Sequence, residues 1–307
     1  MDATLLVYGL YLAAIYSLMA IGISLVWSSV GMVNMAHGAS FAVSGYAAYY
    51  AAAAIVPLVK ALSGGPEAAV ALAVLIVLCG TMVGALFGSV IYLIAFLPIH
   101  DKPNFAVRSL IVTLAINLAS VQALLFCFGP QQKALPRIFG SGRIELFGVP
   151  VRADQGITIA TTSVLLSLLL LWLRVSRRGL EIRAVMQNSE GAALCGISAR
   201  WTALPIMMLT GALAGLAAVL LSQSIFVNPT AGVTPLVKGL TIALLGGLGS
   251  VPGAMLGAIL IGFLEAATGA IPWLGQRYVL VVQFAFIVAV LLIRPRGLGG
   301  LLDETRE

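Results

Sequence analysis

Charge is the scarcest resource in this sequence. Only 9% of its residues are Asp, Glu, Lys or Arg, where a soluble domain carries about 25%. A soluble globular domain is therefore excluded. Histidine occurs twice, at His37 and His100, too far apart in sequence for a multi-histidine metal site. The three cysteines are scattered: Cys79 and Cys127 stand in apolar runs, Cys195 in a charged stretch. No pair of them suggests a disulfide or a thiolate metal site. The dipeptide Gly-Lys never occurs, so there is no phosphate-binding loop of the Gly-x-x-x-x-Gly-Lys-Ser/Thr kind. ATP hydrolysis by that route is excluded. A Gly-x-Ser-x-Gly nucleophile elbow is also missing. The chain reads as no enzyme, and no cofactor is expected within it.

What is present is hydrocarbon. The chain is 61% hydrophobic with a mean hydropathy of +1.08. Apolar runs at 5–27, 40–59, 68–97, 109–129, 156–173, 202–226, 235–249, 253–271 and 278–294 mostly reach the ~20 residues that span a bilayer. The expected fold is all-α: a polytopic helical membrane protein with about eight or nine transmembrane helices and one or more broken or re-entrant segments. One transmembrane domain covers 1–307, with a cytoplasmic loop at 174–201 inside it. The run at 68–97 is longer than a perpendicular crossing needs, which predicts tilt or bending. The run at 235–249 is short and predicts a half-helix. The amino-terminal Met1-Asp2-Ala3-Thr4 has no basic n-region, so the first run reads as a retained helix and not a cleaved signal.

The net charge of +6 and the pI near 9.5 do not imply nucleic acid. In a membrane chain surrounded by lipid, a basic excess reflects cytoplasmic loops. Residues 174–200 hold Arg174, Arg177, Arg178, Arg183 and Arg200. That island is placed inside, together with the loop 98–108 and the tail bearing Arg294, Arg296 and Arg306. The segment 130–155 then lies outside, although Lys133, Arg137, Arg143 and Arg152 weaken the contrast. Its Arg143–Val151 stretch alternates in the strand manner and reads as a hairpin or an ordered loop. The side of the amino terminus depends on whether 28–40 breaks a helix.

Several constellations bear on function. In the island, Glu190, Ala192 and Gly196 have a spacing that resembles the loop by which bacterial ABC-importer permeases dock on their ATPases. Such a loop needs a short helix with an anion at its positive end and a glycine stop. Taken alone it reads equally as a solvated surface helix. Residues 32–40 interrupt the apolar pattern with Asn34, His37 and Gly38. Non-helical backbone at membrane depth must be buried in protein or line a cavity. The stretch is either a broken element near the solute path or a tight cytoplasmic turn with His37 bonded to backbone. Thr113, Asn117 and Ser120 share one helix face, either lining the path or bonding a neighbouring helix. Lys238 and Glu265 sit within apolar segments, where a charge costs at least ~2.5–3.5 kcal/mol. They are expected to pair with each other. Gly80/Gly84/Gly88, Gly211/Gly215 and Gly253/Gly257 are close-packing signatures. The glycine-dense 246–253 stretch reads as a hinge or a half-helix end.

The order of these motifs resembles the LivH-type permeases of branched-chain amino acid ABC importers. Val33-Asn34-Met35-Ala36-His37-Gly38 is similar to that family's Val-Asn-Phe-Ala-His-Gly. Arg178-Gly179-Leu180-Glu181-Ile182-Arg183 through Gly196-Ile197 is similar to its cytoplasmic loop. Leu236–Gly239, Leu245–Gly257 and Leu264-Glu265 match its carboxy-terminal half, and Arg294-Pro295-Arg296-Gly297 its terminal Arg-Pro-Gln-Gly. The resemblance implies a second related permease subunit, two cytoplasmic ABC ATPase subunits that use the ATP, and a periplasmic solute-binding protein. It implies residence in a bacterial inner membrane, ATPase coupling through Arg178, Glu181, Arg183, Glu190, Ala192 and Gly196, and a functional role for 31–40. Substrates would be branched-chain or related amino acids, or urea and short amides. The competing classes are an ion-coupled secondary transporter, with only Lys238 and Glu265 as coupling groups, and a stand-alone channel, which leaves the island unexplained.

Overall fold

The computed structural model describes residues 3–61, 66–140, 142–146, 149–271 and 275–299. Among the described residues, eight helical stretches are long and apolar enough to cross a membrane. They centre on α1 (Ala3–Val30), α2 (His37–Ala61), α3 (Pro66–Ile91), α4 (Phe105–Phe128), α5 (Ala153–Val175), α8 (Ala199–Leu221), α10 (Val251–Ala270) and α11 (Val279–Ile293). Two short helices, α6 (Arg177–Gln187) and α7 (Ser189–Leu194), make up the charged loop. The apolar helix α9 (Val233–Gly246) is too short to span. Arg306 lies outside the described residues.

Helices α1 and α8 form the buried centre. Leu18, Met19, Ala20 and Ile21 of α1 and Ala214, Ala217 and Leu220 of α8 are fully buried. Helix α4 is almost wholly peripheral, with Ile111, Leu118 and Phe126 exposed as a lipid-facing helix requires. Glycine sets how closely the central helices pack. A Cβ on Gly84 would meet the Gly211 carbonyl oxygen, one on Gly88 that of Met207, and one on Gly215 would lie 2.5 Å from Gly80 O. The three small-residue repeats are thus used within the chain: α3 against α8, and Gly253 and Gly257 of α10 against the end of α9.

The long third run changes helix type at its end. Its last turn, Tyr92–Phe96, is π-helical, with Leu97 N–H donating to Tyr92 O at 2.9 Å. Tyr92 stacks on Phe96, Phe96 lies tilted against His100, and His100 meets Phe105 edge to face, while Tyr92 Oη donates to Arg200 O at 3.1 Å. This ties the 97–104 turn to the start of α8.

With the 174–201 loop taken as the inner end, the direction of every helix follows. Trp27–Gly31 share a cavity with Val185–Glu190, whereas Tyr8 and Tyr11 share one with Gln132 and Arg152. On that assignment helix α1 runs inward, and its Ala3 end is outside. Chain 222–246 runs from the outer end of α8 to the inner end of α9, a ninth crossing of which α9 covers only the inner part. The outer segment holds the hairpin β1 (Arg143–Leu146) and β2 (Val149–Arg152), paired Arg143↔Arg152 to Leu146↔Val149. The Phe147-Gly148 turn lies outside the described residues. Lys133 pairs with Val227 and places its Nζ 2.6 Å from Tyr50 Oη, over the Tyr49, Tyr50 and Phe128 rings. The Tyr50 hydrogen bond raises the Lys133 pKa above that of an ordinary lysine.

Candidate functional site

Three places carry the polar residues singled out by sequence: an inner loop, a break beside α2, and a buried charge cluster under an outer cavity.

The inner loop is built by capping. Ser176 Oγ accepts from Gly179 N–H at 2.9 Å and starts α6; Asn188 Oδ1 accepts from Gly191 N–H at 2.8 Å and starts α7. These side chains satisfy the open N–H groups of the helix starts. Gly179 is needed because a Cβ there would sit 2.5 Å from Leu173 O, so α6 folds directly onto the end of α5. Ile182 and Val185 bury the inner face of α6. Helix α7 ends at Gly196, φ +82°, with Ile197 N–H donating to Ala192 O and Gly196 N–H to Ala193 O, a Schellman stop. Ala192 is buried, while Glu190 and Leu194 are exposed, Leu194 at 91%. Arg178 and Glu181 pair at 2.8 Å on the surface. Arg183 is different: its Nη2 donates to Arg174 O at 3.0 Å, so it braces α6 against α5. We expect Gly196→Val to cost about 1–3 kcal/mol, read as a lowered melting temperature of the purified chain. Ala at Glu190 serves as the surface control, within about 0.5 kcal/mol of wild type.

The break at 31–36 is not a surface turn. Gly31, φ +72°, lies at the inner end. Six residues later, His37 Cε1 lies 2.8 Å from where a Gly22 Cβ would be, ~12 Å up α1 from its end at 1.5 Å per residue. The chain climbs back into the protein before α2 begins. Asn34 Oδ1 accepts from Ala36 N–H at 3.0 Å, and Met35 N–H donates to Thr113 Oγ1 at 3.1 Å. Gly38 lies against Gly232 and Leu236. Helices α2 and α9 thus start back to back, α2 running outward and α9 inward. His37 is buried, and its Nε2 has no hydrogen-bond partner among the described residues. Of the two readings of 32–40, this geometry favours the broken element over the cytoplasmic turn with His37 bonded to backbone, and room for His37 comes from Gly22. Asn117 is buried on the same face of α4 as Thr113. Neither end cavity is lined by Asn34, His37, Gly38, Thr113 or Asn117.

The charge cluster unites four helices. Lys238 Nζ lies 2.8 Å and 2.7 Å from the two Glu265 oxygens and 2.7 Å from Tyr16 Oη. Tyr16 Oη donates to Glu265 Oε2 at 2.8 Å, as does Gln283 Nε2 at 2.8 Å. Above it, Tyr11 Oη donates to Ser224 Oγ at 2.9 Å, and Arg152 grips Asp154 through Nε and Nη2 at 3.0 Å and 2.8 Å. Tyr16, Lys238 and Glu265 of the first set and Tyr11, Ser224 and Arg152 of the second line a cavity of about 670 Å³ at the outer end.

This architecture has relatives. Residues 5–291 match the family model for the permease component of the branched-chain amino acid transport system. The chain belongs to that permease family. It is 29% identical over 297 residues to the high-affinity branched-chain amino acid transport system permease protein LivH of Escherichia coli K12, covering 95% of this chain and 93% of LivH. It is 30% identical over 300 residues to BraD of Pseudomonas aeruginosa, a permease protein of the same description, covering 96% and 94%. A probable LivH of Methanocaldococcus jannaschii is 31% identical, covering 94% and 91%.

Sequence reasoning about this permease missed Tyr16 and Gln283 as partners of the charges, and Tyr11, Ser224, Arg152 and Asp154 around them. A signal existed. Tyr8, Tyr11 and Tyr16 put three polar-tipped rings on an α1 without a charged residue, and Gln283 is the lone amide in α11.

Proposed function

We propose that this chain is the membrane-spanning permease subunit of an ABC importer in a bacterial inner membrane, moving branched-chain amino acids. A second related permease stands beside it. Two cytoplasmic ATPase subunits bind beneath, and a periplasmic solute-binding protein delivers the solute. The observation that carries this reading is the α6–α7 loop in a chain of this family. It is a capped and braced platform that presents Glu190 and the 91%-exposed Leu194 at the inner end of a chain whose sequence has no Gly-x-x-x-x-Gly-Lys phosphate loop.

Mechanically, the platform is suited to transmit force. Helix α7 leads straight into α8, the buried centre of the bundle, and α6 is bolted to α5 by Gly179 and Arg183. ATPase closure under α7 moves both helices together and biases a two-state bundle. An ion-coupled transporter is less well supported, because Lys238 and Glu265 already satisfy one another.

Glu190→Lys tests the coupling. The variant inserts normally, because Glu190 is exposed and makes no ion pair among the described residues. It loses ATPase subunits on purification in mild detergent, and uptake falls by about tenfold or more, the ratio for a lost ~1.4 kcal/mol of docking. Undiminished uptake refutes the docking role.

A further inference from the structure

We infer that the outer cavity is a weak binding site for the α-amino acid zwitterion itself, with Glu265, Lys238 and Tyr16 as its floor and Arg152 at its rim. This rests on the amino acid permease reading above and assigns the solute a place within this subunit.

The cavity, about 670 Å³, falls within the ~300–1,000 Å³ of ordinary small-molecule sites. It descends from the outer end between α1, the start of α5, the 224–231 loop and the start of α9. Its lower wall is the charge cluster, and the Lys238 and Glu265 side chains remain 10% and 9% exposed there.

The valences left over define the ligand. The three Lys238 protons go to Tyr16 Oη, Glu265 Oε1 and Glu265 Oε2. Oxygen Oε2 also takes Tyr16 and Gln283, but Oε1 takes Lys238 alone. A carboxylate oxygen has room for more than one donor, so Oε1 offers a seat to an ammonium group. At the rim, Arg152 uses Nε and Nη2 on Asp154, while its Nη1 makes no hydrogen bond to a described residue. It can take a carboxylate.

The floor itself is neutral, a lysine and a glutamate side by side. A bare cation or anion bound there would leave one charge uncompensated at a buried position. An apolar solute would strip water from the pair and offer nothing in return. A molecule carrying both an ammonium and a carboxylate can set the first on Glu265 Oε1 and the second on Arg152 Nη1, the two groups left open, and leave nothing unpaired. Sharing an existing ion pair makes binding weak, as suits a carrier that must release its solute.

The test is saturation-transfer NMR on the full chain in lipid nanodiscs, without binding protein. The probes are L-leucine, 4-methylpentanoate (no ammonium), 3-methylbutylamine (no carboxylate), D-fructose and urea. Leucine receives transfer, and each other probe binds at least about tenfold more weakly because it leaves a polar partner unmet. Thr234→Trp fills the cavity from its exposed wall, outside the charge cluster. It abolishes the leucine signal while the melting temperature holds. Glu265→Gln abolishes it too; where that variant is unstable, Thr234→Trp decides. No transfer to leucine, equal transfer to any of the four other probes, or a leucine signal that survives Thr234→Trp overturns the assignment. ATP-driven leucine uptake that persists in such a case leaves the importer reading standing, whereas undiminished uptake by Glu190→Lys removes the coupling role without touching this site.

Discussion

Gly84→Leu yields no folded permease, and Gly84→Ala yields a crippled one. The α3–α8 seam is made of backbone. Gly80, Gly84 and Gly88 of α3 lie on Gly215, Gly211 and Met207 of α8, and a Cβ at Gly84 falls on the Gly211 carbonyl oxygen. A flexible side chain could swing aside, but a carbonyl inside a helix cannot. The helices must separate, and every contact along the seam lengthens with them. In a bilayer no hydrophobic force draws helices together, so packing is what holds them. Overpacking a tight contact by one methyl costs about 1–3 kcal/mol, and a leucine exceeds what the seam can absorb. Because α8 also carries the inner loop into the bundle, a loosened seam should cost transport before it costs insertion. The check is a thermal unfolding series of Gly84→Ala and Gly84→Leu against Met82→Leu, a residue 66% exposed on the lipid face of α3. Met82→Leu stays at the wild-type midpoint. A wild-type midpoint for Gly84→Leu would mean that the helices do not touch there.

Much of this architecture could be read from residues alone, and the part that could not has a common cause. The spanning helices, the inner loop with its glycine stop at Gly196 and the outer hairpin are local in sequence, and hydropathy or capping announces them. The glycine repeats on α3, α8 and α10 announce close packing without naming partners. Depth is what a sequence does not encode. Whether 31–36 turns at the surface or climbs back into the protein depends on Gly22, which makes room for His37, and on Gly232, which meets Gly38. Neither glycine stands near the break in sequence. The side of the amino terminus was undetermined for the same reason, and followed only once the two ends of α1 were seen to line different cavities. The outer cavity is more distributed still, with walls from Tyr8 to Gln276. Thr113 shows the limit in miniature. Its face on α4 was evident from spacing, but a hydrogen bond to Met35 N–H is a contact that only the assembled fold displays.

Removing either member of the Lys238–Glu265 pair is expected to be far worse than removing both. Each single alanine leaves a buried charge without its counter-ion, a change that typically costs about 3–5 kcal/mol. The double alanine removes the charge problem and leaves only lost packing and a solvent-fillable gap beside the outer cavity. The cycle should therefore show a coupling of roughly 1–3 kcal/mol or more, measured as melting and as the fraction of chain recovered folded from membranes. The geometry also predicts an asymmetry. After Lys238→Ala, Glu265 still accepts from Tyr16 and Gln283. After Glu265→Ala, Lys238 keeps only the Tyr16 oxygen. Glu265→Ala should be the more damaging single change, and Tyr16→Phe should worsen it further. The consequence reaches beyond stability, because Lys238 is the only charged residue of α9 and its contacts tie that half-helix to α1 and α10. With the pair gone, α9 keeps only its apolar packing, through Leu236, Ile242, Ala243 and Leu245, and its glycine contacts, Gly239 on Met19 and Gly246 on Gly253. The double variant should accordingly fold but carry solute poorly, with transport lost while the melting temperature is largely restored. Strictly additive damage from the two alanines would show that the charges act independently, and the pair would then be a meeting of two side chains and not a tie between helices.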